Sequence, residues 1–109
     1  MLEISKNGEI KLTRGDTAYL SVLVKIKDGE PYSVESNDVL TLTVKRDYSD
    51  EEALIEKKIT GDTTFHIKPE DTKGLEFGIY VYDVQITTAD GDNFTFIADK
   101  KFKVTNEVG

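Results

Sequence analysis

The sequence predicts an all-β sandwich of about seven strands, and three observations lead to this prediction. Apolar and polar residues alternate along much of the chain, which is typical of strands with one buried face. Turn-forming residues separate these segments at short intervals, and no long segment shows the apolar period of a helix. The 109 residues match the usual size of one domain, so we expect a single domain over residues 1–109.

Two strands are predicted near the N-terminus. The first is short, at Glu9–Leu12, and the second runs from Ala18 to Ile26. In the second, the even-numbered residues are apolar and form the buried face, whereas Tyr19 and Leu23 point to the other side. The Asp-Gly pair in Lys27–Pro31 then predicts a turn, because glycine readily adopts a positive φ.

The middle of the chain contains one clear strand and one ambiguous segment. In Val39–Lys45, an apolar residue recurs at every second position, which predicts a strand. Ser49–Glu52 has the form of a helix capping box, and a helix could continue to Ile59. The residues after it alternate, however, and every neighbouring element is a strand. We therefore prefer a strand at Leu54–Thr60.

The C-terminal half alternates short and long elements. A short strand is predicted at Thr64–Lys68, followed by one helical turn at Pro69–Lys73. A long strand is predicted at Gly78–Thr87, followed by a hairpin turn at Thr88–Asn93. The return strand is predicted at Phe94–Ala98 and resumes at Phe102–Val104. Proline is favoured at the first helical position. Asp-Gly is a strong signal for a hairpin turn.

Charge and composition argue against several partners. The chain has 21 acidic and 14 basic residues, a net charge of −7, whereas nucleic-acid binding needs concentrated Lys and Arg. It has no cysteine, which excludes disulfides and cysteine-bound metals. No apolar run approaches the roughly 18 residues that cross a bilayer, and no signal-peptide pattern is present. We therefore expect neither a nucleic-acid nor a membrane partner.

Three short motifs suggest chemistry, but each has a plainer structural explanation. His66 is the only histidine and is expected on the outward face of a short strand, without a positioned serine. Asp90–Asn93 has part of a calcium-loop pattern, but Lys101 stands where that spacing requires glutamate. Arg14–Asp16 spells the tripeptide that integrins bind, yet it leads directly into a strand. We expect no catalytic residue, cofactor or metal ion.

Outward apolar residues are the strongest candidates for a binding surface. Tyr19, Leu23, Val39, Ile79 and Val81 fall on the face opposite the core pattern of their strands. Either neighbouring segments cover them or they form an assembly interface, since exposed apolar patches above a few hundred Å² usually mark contacts. We take Tyr19, Leu23, Ile79 and Val81 as candidate interface residues.

The segment Pro69–Thr72 followed by Gly78–Tyr82 resembles immunoglobulin-like domains, in which an acidic turn precedes Gly-x-Tyr-x-Cys. The resemblance implies an immunoglobulin-like β-sandwich in which Tyr80 forms a tyrosine corner. Its hydroxyl would bond to upstream backbone near Asp71–Leu75. Tyr82 occupies the place of the disulfide cysteine, so this sequence departs from the antibody pattern.

A wider set of short motifs covers most of the chain, namely Leu12–Thr17, Thr41–Lys45, Pro69–Thr72 and Gly78–Gln85. This set is similar to small proteins from tail-gene regions of phages and prophages of Gram-positive bacteria. It is also similar to the N-terminal immunoglobulin-like domain of siphophage baseplate upper proteins. The resemblance implies a non-enzymatic tail or baseplate module, assembled in the bacterial cytoplasm into the virion. Its partners would be other tail proteins and further copies of itself.

The alternative is a carbohydrate-binding β-sandwich that attaches to bacterial cell-wall glycans. Sugar-binding platforms usually expose aromatic rings. The chain has no tryptophan, so Tyr19, Tyr32 and Tyr48 would have to provide the platform.

Overall fold

A computed structural model describes residues 2–26 and 29–106 of the chain. The described part contains ten strands and one short helix. They are β1 (Leu2–Ile4), β2 (Ile10–Thr13), β3 (Ala18–Ser21), β4 (Lys25–Ile26), β5 (Glu30–Pro31), β6 (Val39–Lys45), β7 (Ile55–Thr60), β8 (Thr64–Ile67), α1 (Pro69–Lys73), β9 (Gly78–Thr87) and β10 (Asn93–Thr105). The all-β prediction is confirmed. Within the same residues, no helix is long and apolar enough to cross a membrane.

Six strands form the main sheet, in the order β1-β2-β10-β9-β6-β7. Every neighbouring pair is antiparallel except β2 and β10, which run parallel, with Ile10 opposite Phe102. Two smaller antiparallel sheets pair β3 with β8 and β4 with β5. One strand near the start of the chain is therefore bonded to the last strand.

The main sheet and the β3–β8 pair share one hydrophobic core. Alternate residues of β2, β3, β6, β8 and β9 are buried, as period-2 patterning requires. The core members are Ile10, Leu12, Ala18, Leu20, Val24, Leu40, Leu42, Val44, Ile55, Phe65, Ile67, Tyr80, Tyr82, Val84, Ile86, Phe102 and Val104. Full burial of a large apolar side chain stabilises the fold by about 1.5–3 kcal/mol, so this cluster supplies the main driving force.

The ambiguous segment after β6 is a strand. β7 pairs with β6 along its whole length, with Ile55 opposite Val44, and the helix alternative at Ser49–Ile59 is wrong. The capping-box residues Ser49–Glu52 lie in the exposed connection between the two strands. Pairing with β6 buries Ile55, which a solvent-exposed helix turn would not achieve.

The predicted strand from Ala18 to Ile26 is divided in two. Regular pairing stops at Ser21 and resumes at Lys25, although Val24 is buried and Leu23 exposed, as the alternation predicts. β1 and β5 were not predicted, because both are short and expose polar residues. The turn predicted at 27–31 falls partly outside the described residues, since Lys27 and Asp28 are not among them.

The helical turn predicted at Pro69–Lys73 is confirmed as α1. It begins with proline, and the Asp71 carboxylate accepts a hydrogen bond from the Lys68 amide at 2.7 Å. The same carboxylate forms an ion pair with Lys57 of β7, at 2.7 Å. The carboxylate is favoured at this position, because it accepts an otherwise unpaired amide and carries negative charge near a helix N-terminus.

Asp38 joins three connections: its carboxylate bonds within its own β5–β6 connection and to the β9–β10 hairpin, and its backbone carbonyl bonds to the β7–β8 connection. The side chain is only 1% exposed and accepts hydrogen bonds from the Tyr32 hydroxyl at 2.6 Å, the Glu35 amide at 2.9 Å and the Ala89 amide at 3.2 Å. The Asp38 carbonyl also accepts the Gly61 amide, at 2.9 Å. We call Tyr32, Glu35, Asp38, Gly61 and Ala89 the Asp38 junction.

Hydrogen bonding sets the ionisation of the Asp38 junction. The bond from Tyr32, followed by the bond from the Glu35 amide, holds the pKa of the Asp38 carboxyl below its usual value, although burial opposes this. The same bond raises the pKa of Tyr32 to about 12. Asp38 is therefore a carboxylate in the folded protein at neutral pH.

Tyr80 is part of the hydrophobic core, and its hydroxyl is satisfied by a nearby backbone carbonyl. The side chain is buried, and its hydroxyl donates to the Glu76 carbonyl at 2.7 Å. The acceptor lies one residue beyond the expected window of Asp71–Leu75. This bond fixes the connection that leads from α1 into β9.

Replacing Tyr80 with phenylalanine should lower the free energy of unfolding by about 1 kcal/mol, the usual net contribution of one such hydrogen bond. The change removes only the hydroxyl that bonds to Glu76. Urea denaturation should therefore show a lower midpoint with an unchanged slope. Tyr48→Phe is the matched control, because the Tyr48 side chain is exposed, and it should leave the midpoint unchanged. An equal midpoint for Tyr80→Phe would contradict a structural role for the hydroxyl.

Candidate interaction surfaces

The four candidate interface residues lie on two different surfaces. Tyr19 and Leu23 are 64% and 66% exposed and belong to β3 and the segment after it. Ile79 is 54% exposed and Val81 half-buried, and both project from the main sheet on the face away from the core. A single contact therefore cannot centre on all four. Val39 is half-buried on the same outer face as Val81.

Leu23 borders an open apolar groove of about 380 Å³. Ile4 and Leu23 are exposed in it, and Phe96 and Ile97 of β10 are half-buried. Lys25 and Lys100 also line the groove, together with polar residues of the β1–β2 turn. This Leu23 groove combines aliphatic and aromatic contacts with cationic groups, an arrangement suited to an apolar protein segment with acidic flanks.

The outer face of the main sheet carries a group of lysines around Ile79 and Val81. Strand register places Lys103 beside Ile79, and Lys101 and Lys45 on either side of Val81. Lys11 of β2 is in turn directly opposite Lys103. The name lysine face is used below for this set of six: Lys11, Lys45, Lys101, Lys103, Ile79 and Val81.

The charges of the lysine face are incompletely compensated. Lys11 lies 3.9 Å from Glu3, an exposed and therefore weak ion pair. Among the residues described, no carboxylate lies within 4.0 Å of Lys101 or Lys103. Like charges directly opposite each other on paired strands are destabilising, so the Lys11–Lys103 pair disfavours the isolated face.

The lysine face has acidic residues at its borders. Glu3 and Glu9 line the same depression as Ile79, Lys101 and Lys103. Asp83 follows Val81 on the same outer face of β9, and its pKa is raised, chiefly by burial, while nearby Lys45 opposes the rise.

An acidic loop, residues 46–54, connects β6 to β7 and is exposed throughout. It carries two large apolar residues, Tyr48 and Leu54, of which Tyr48 is 71% exposed. Its four carboxylates belong to Asp47, Asp50, Glu51 and Glu52. The Asp50 carboxylate accepts the Asp47 amide at 3.1 Å, which braces the loop from within. Tyr48 borders a depression shared with Lys45 and Val81, so the loop lies beside the lysine face.

Tyr19 forms a cross-strand pair with the only histidine. Their rings stack with centroids 4.7 Å apart and planes 10° from parallel, and both side chains are exposed. The Ser21 and Thr64 hydroxyls bond to each other at 2.9 Å on the same strands. The alternating pattern predicts outward faces for Tyr19 and His66 but not their pairing, because the register between strands far apart in sequence is not visible in the pattern.

The Arg14–Asp16 tripeptide is engaged by the rest of the molecule. The Arg14 guanidinium lies 4.2 Å from the centre of the Phe77 ring and donates to the Leu75 carbonyl at 3.3 Å. The Gly15 amide donates to the buried Thr72 hydroxyl at 2.8 Å. These contacts tie the turn before β3 to α1 and to the segment after it, which is a structural role.

The Asp90–Asn93 segment forms the predicted hairpin turn. The Gly91 amide donates to the Thr88 carbonyl at 2.9 Å, and Gly91 has a φ of 90°. Over residues 2–26 and 29–106, no three His, Cys, Asp or Glu side chains are grouped to hold a metal ion.

No protein-family model, curated protein or solved structure matches the chain significantly. Its function is therefore inferred from its own surfaces and sequence motifs.

Proposed function

We propose that the chain is a non-enzymatic interaction module built on an immunoglobulin-like β-sandwich. The strand order β10-β9-β6-β7 matches the G-F-C-C′ order of variable-type immunoglobulin domains, and the β3–β8 pair matches strands B and E. The bond from Tyr80 to Glu76 supports a tyrosine corner at the start of strand F. The core shared by the two sheets supports their assignment as the layers of a sandwich.

Tyr82 takes the place of the antibody disulfide in this proposal. Its ring packs edge to face against Phe102, with centroids 6.2 Å apart, and its hydroxyl donates to the Gly8 carbonyl. The side chain thereby connects β9 with β10 and with the β1–β2 turn. An aromatic ring with a satisfied hydroxyl can stabilise the centre of the core without a covalent bond.

The module is proposed to act in a phage or prophage tail or baseplate, by docking onto other tail proteins. The Leu23 groove carries this proposal, because its exposed Leu23 and Ile4 adjoin the half-buried Phe96 and Ile97 in one opening. A single exposed leucine is ordinary on a soluble protein. Several apolar side chains converging on one groove are typical of a contact site. The phage-like motif set supports the choice of partner.

The test is binding of the full chain to tail proteins encoded by neighbouring genes, measured with the chain immobilised. At least one should bind, and Leu23→Ser should weaken that binding by about tenfold or more, as truncation at the centre of a contact does. Ile79→Ser is the matched control. It changes an equally apolar, exposed residue on the other surface and should leave binding unchanged.

Retention on purified cell-wall glycan without binding to any tail protein would contradict the proposal and favour the carbohydrate-binding alternative. The exposed Tyr19–His66 stack is the feature that favours this alternative. The Tyr32 hydroxyl is committed to Asp38, so Tyr32 is less suited to contribute. Tyr19→Ala should abolish glycan retention if the stack is the platform.

A further inference from the structure

We propose that the partner of the lysine face is a second copy of this chain, which places its acidic loop on the lysines while its own lysine face receives the first copy's loop. This symmetric dimer rests on the proposed interaction role and gives the lysine face a specific occupant. It leaves the Leu23 groove to other proteins.

Charge complementarity within one sequence carries the inference. The lysine face groups four cations, and residues 46–54 group four carboxylates, although the whole chain has a net charge of −7. The lysine face has four cations, and neither Lys101 nor Lys103 has a carboxylate within 4.0 Å in the described residues. The acidic loop has four carboxylates. A partner that supplies carboxylates would relieve the repulsion between Lys11 and Lys103.

The apolar residues of the two surfaces are also complementary. Ile79 and Val81 stand among the lysines, and Tyr48 and Leu54 stand among the carboxylates. A contact between them would bury an apolar centre within a charged rim, which is the usual anatomy of a protein interface. Free carboxylates in solution or nucleic acid would satisfy only one of these two features.

The position of the loop allows both contacts to form at once. The loop adjoins the β6 side of the lysine face, and Lys11 marks the opposite side, three strands away. Neighbouring strands are about 4.8 Å apart, so the two sides are roughly 14 Å apart. Consider two copies that face each other and are related by a two-fold axis in the contact plane, parallel to the strands. This axis places the β6 side of one copy opposite the β2 side of the other. Each loop then meets the Lys11–Lys103 side of the other copy, as an isologous interface requires.

The experiment uses two charge-reversed forms of the full chain, studied by sedimentation equilibrium. One carries Lys101→Glu and Lys103→Glu, and the other carries Glu51→Lys and Glu52→Lys. We expect the unchanged chain to be dimeric at low salt and each reversed form alone to be monomeric. An equimolar mixture of the two forms should restore the dimer, because each acidic surface then meets a basic one. The restored dimer also shows that both forms are folded.

Salt and matched substitutions separate this contact from a general charge effect. Raising the ionic strength from about 0.1 to 1 M shortens the screening length from about 10 to 3 Å and should weaken the dimer. Ile79→Ser should weaken it by about tenfold or more, as for a central apolar contact. A control form with Lys58→Glu and Lys73→Glu has the same net charge as the form with Lys101→Glu and Lys103→Glu. Its changes lie outside the lysine face, so it should remain dimeric.

A monomeric unchanged chain at every salt concentration, or a dimer that neither reversed form disrupts, would overturn the inference. So would a mixture of reversed forms that stays monomeric. Binding of tail proteins by a strictly monomeric chain would reject the dimer and retain the proposed function. A charge-dependent dimer that binds no tail protein would support the dimer and reject the docking role.

Discussion

Asp38→Ala is expected to lower the free energy of unfolding by about 3 kcal/mol. Hydrogen bonds to a charged acceptor contribute about 1.5–3 kcal/mol each, and Asp38 is only 1% exposed, so water has little access to replace them. The substitution leaves the Ala89 amide, which belongs to the hairpin between β9 and β10, without its acceptor. Domains of this size are stable by about 5–15 kcal/mol, so urea denaturation should show a large shift in midpoint.

Asp38→Asn is the matched substitution, because it keeps the shape and one acceptor oxygen but removes the charge. It should cost less than Asp38→Ala, about 1–2 kcal/mol at neutral pH. Equal stability of the unchanged protein and Asp38→Ala would show that the Asp38 carboxylate does not hold the β5–β6 connection to the β9–β10 hairpin.

The contribution of the Asp38 charge should disappear in acid. The pKa of this carboxyl is lower in the folded protein than in the unfolded chain, so ionisation favours folding. The stability difference between the unchanged protein and Asp38→Asn should be constant above the unfolded pKa of about 4. It should shrink as the pH falls from there through the lowered pKa of the folded state. A difference that grows in acid would contradict the assigned ionisation.

Gly61→Ala should destabilise the protein by about 2–3 kcal/mol, through two separate effects. Gly61 has a φ of 66°, which costs an L-residue about 1–2 kcal/mol. An added Cβ would also lie 3.0 Å from the Ser36 carbonyl oxygen and 3.2 Å from its Cα. These are backbone atoms, so the β5–β6 connection would have to shift.

Two other glycines separate these effects. Gly91 has a φ of 90° with no atom within 4 Å of an added Cβ, so Gly91→Ala should show the conformational cost alone, about 1–2 kcal/mol. Gly74 has a φ of −84° and open space, so Gly74→Ala should be neutral or stabilising by up to about 1 kcal/mol. Urea denaturation of the three variants should rank Gly61→Ala as the least stable. A Gly61→Ala variant no worse than Gly91→Ala would show that the contact with Ser36 relaxes without cost.

The strongest strands were predictable because local pattern and tertiary burial agree in them. β6 and β9 alternate cleanly in sequence, and their alternate residues are buried. β7 was ambiguous because its preceding residues satisfy a helix cap, and only pairing with β6 decides the matter. β1 and β5 are strands because they pair with β2 and β4, and their own short sequences show no alternating pattern that would predict a strand.

The candidate surfaces were predictable only in part. Outward residues such as Ile79 follow from strand period, but the lysine face requires Lys11 and Lys103 to become neighbours through the parallel pairing of β2 and β10. No sequence pattern specifies that register. Asp38 was missed because an aspartate beside serine and asparagine is typical of a turn. Its burial results from contacts with Ala89, 51 residues away.

The parallel pairing of β2 with β10 also has a mechanical consequence. If tension is applied through the segment before β2 and the segment after β10, the two strands are pulled in opposite directions along their length. The four residue pairs from Ile10–Phe102 to Thr13–Thr105 then bear the load together. An antiparallel pair loaded at one end would instead open one bond at a time. β1 would detach first, and the core would remain closed until the shared hydrogen bonds of β2 and β10 fail together.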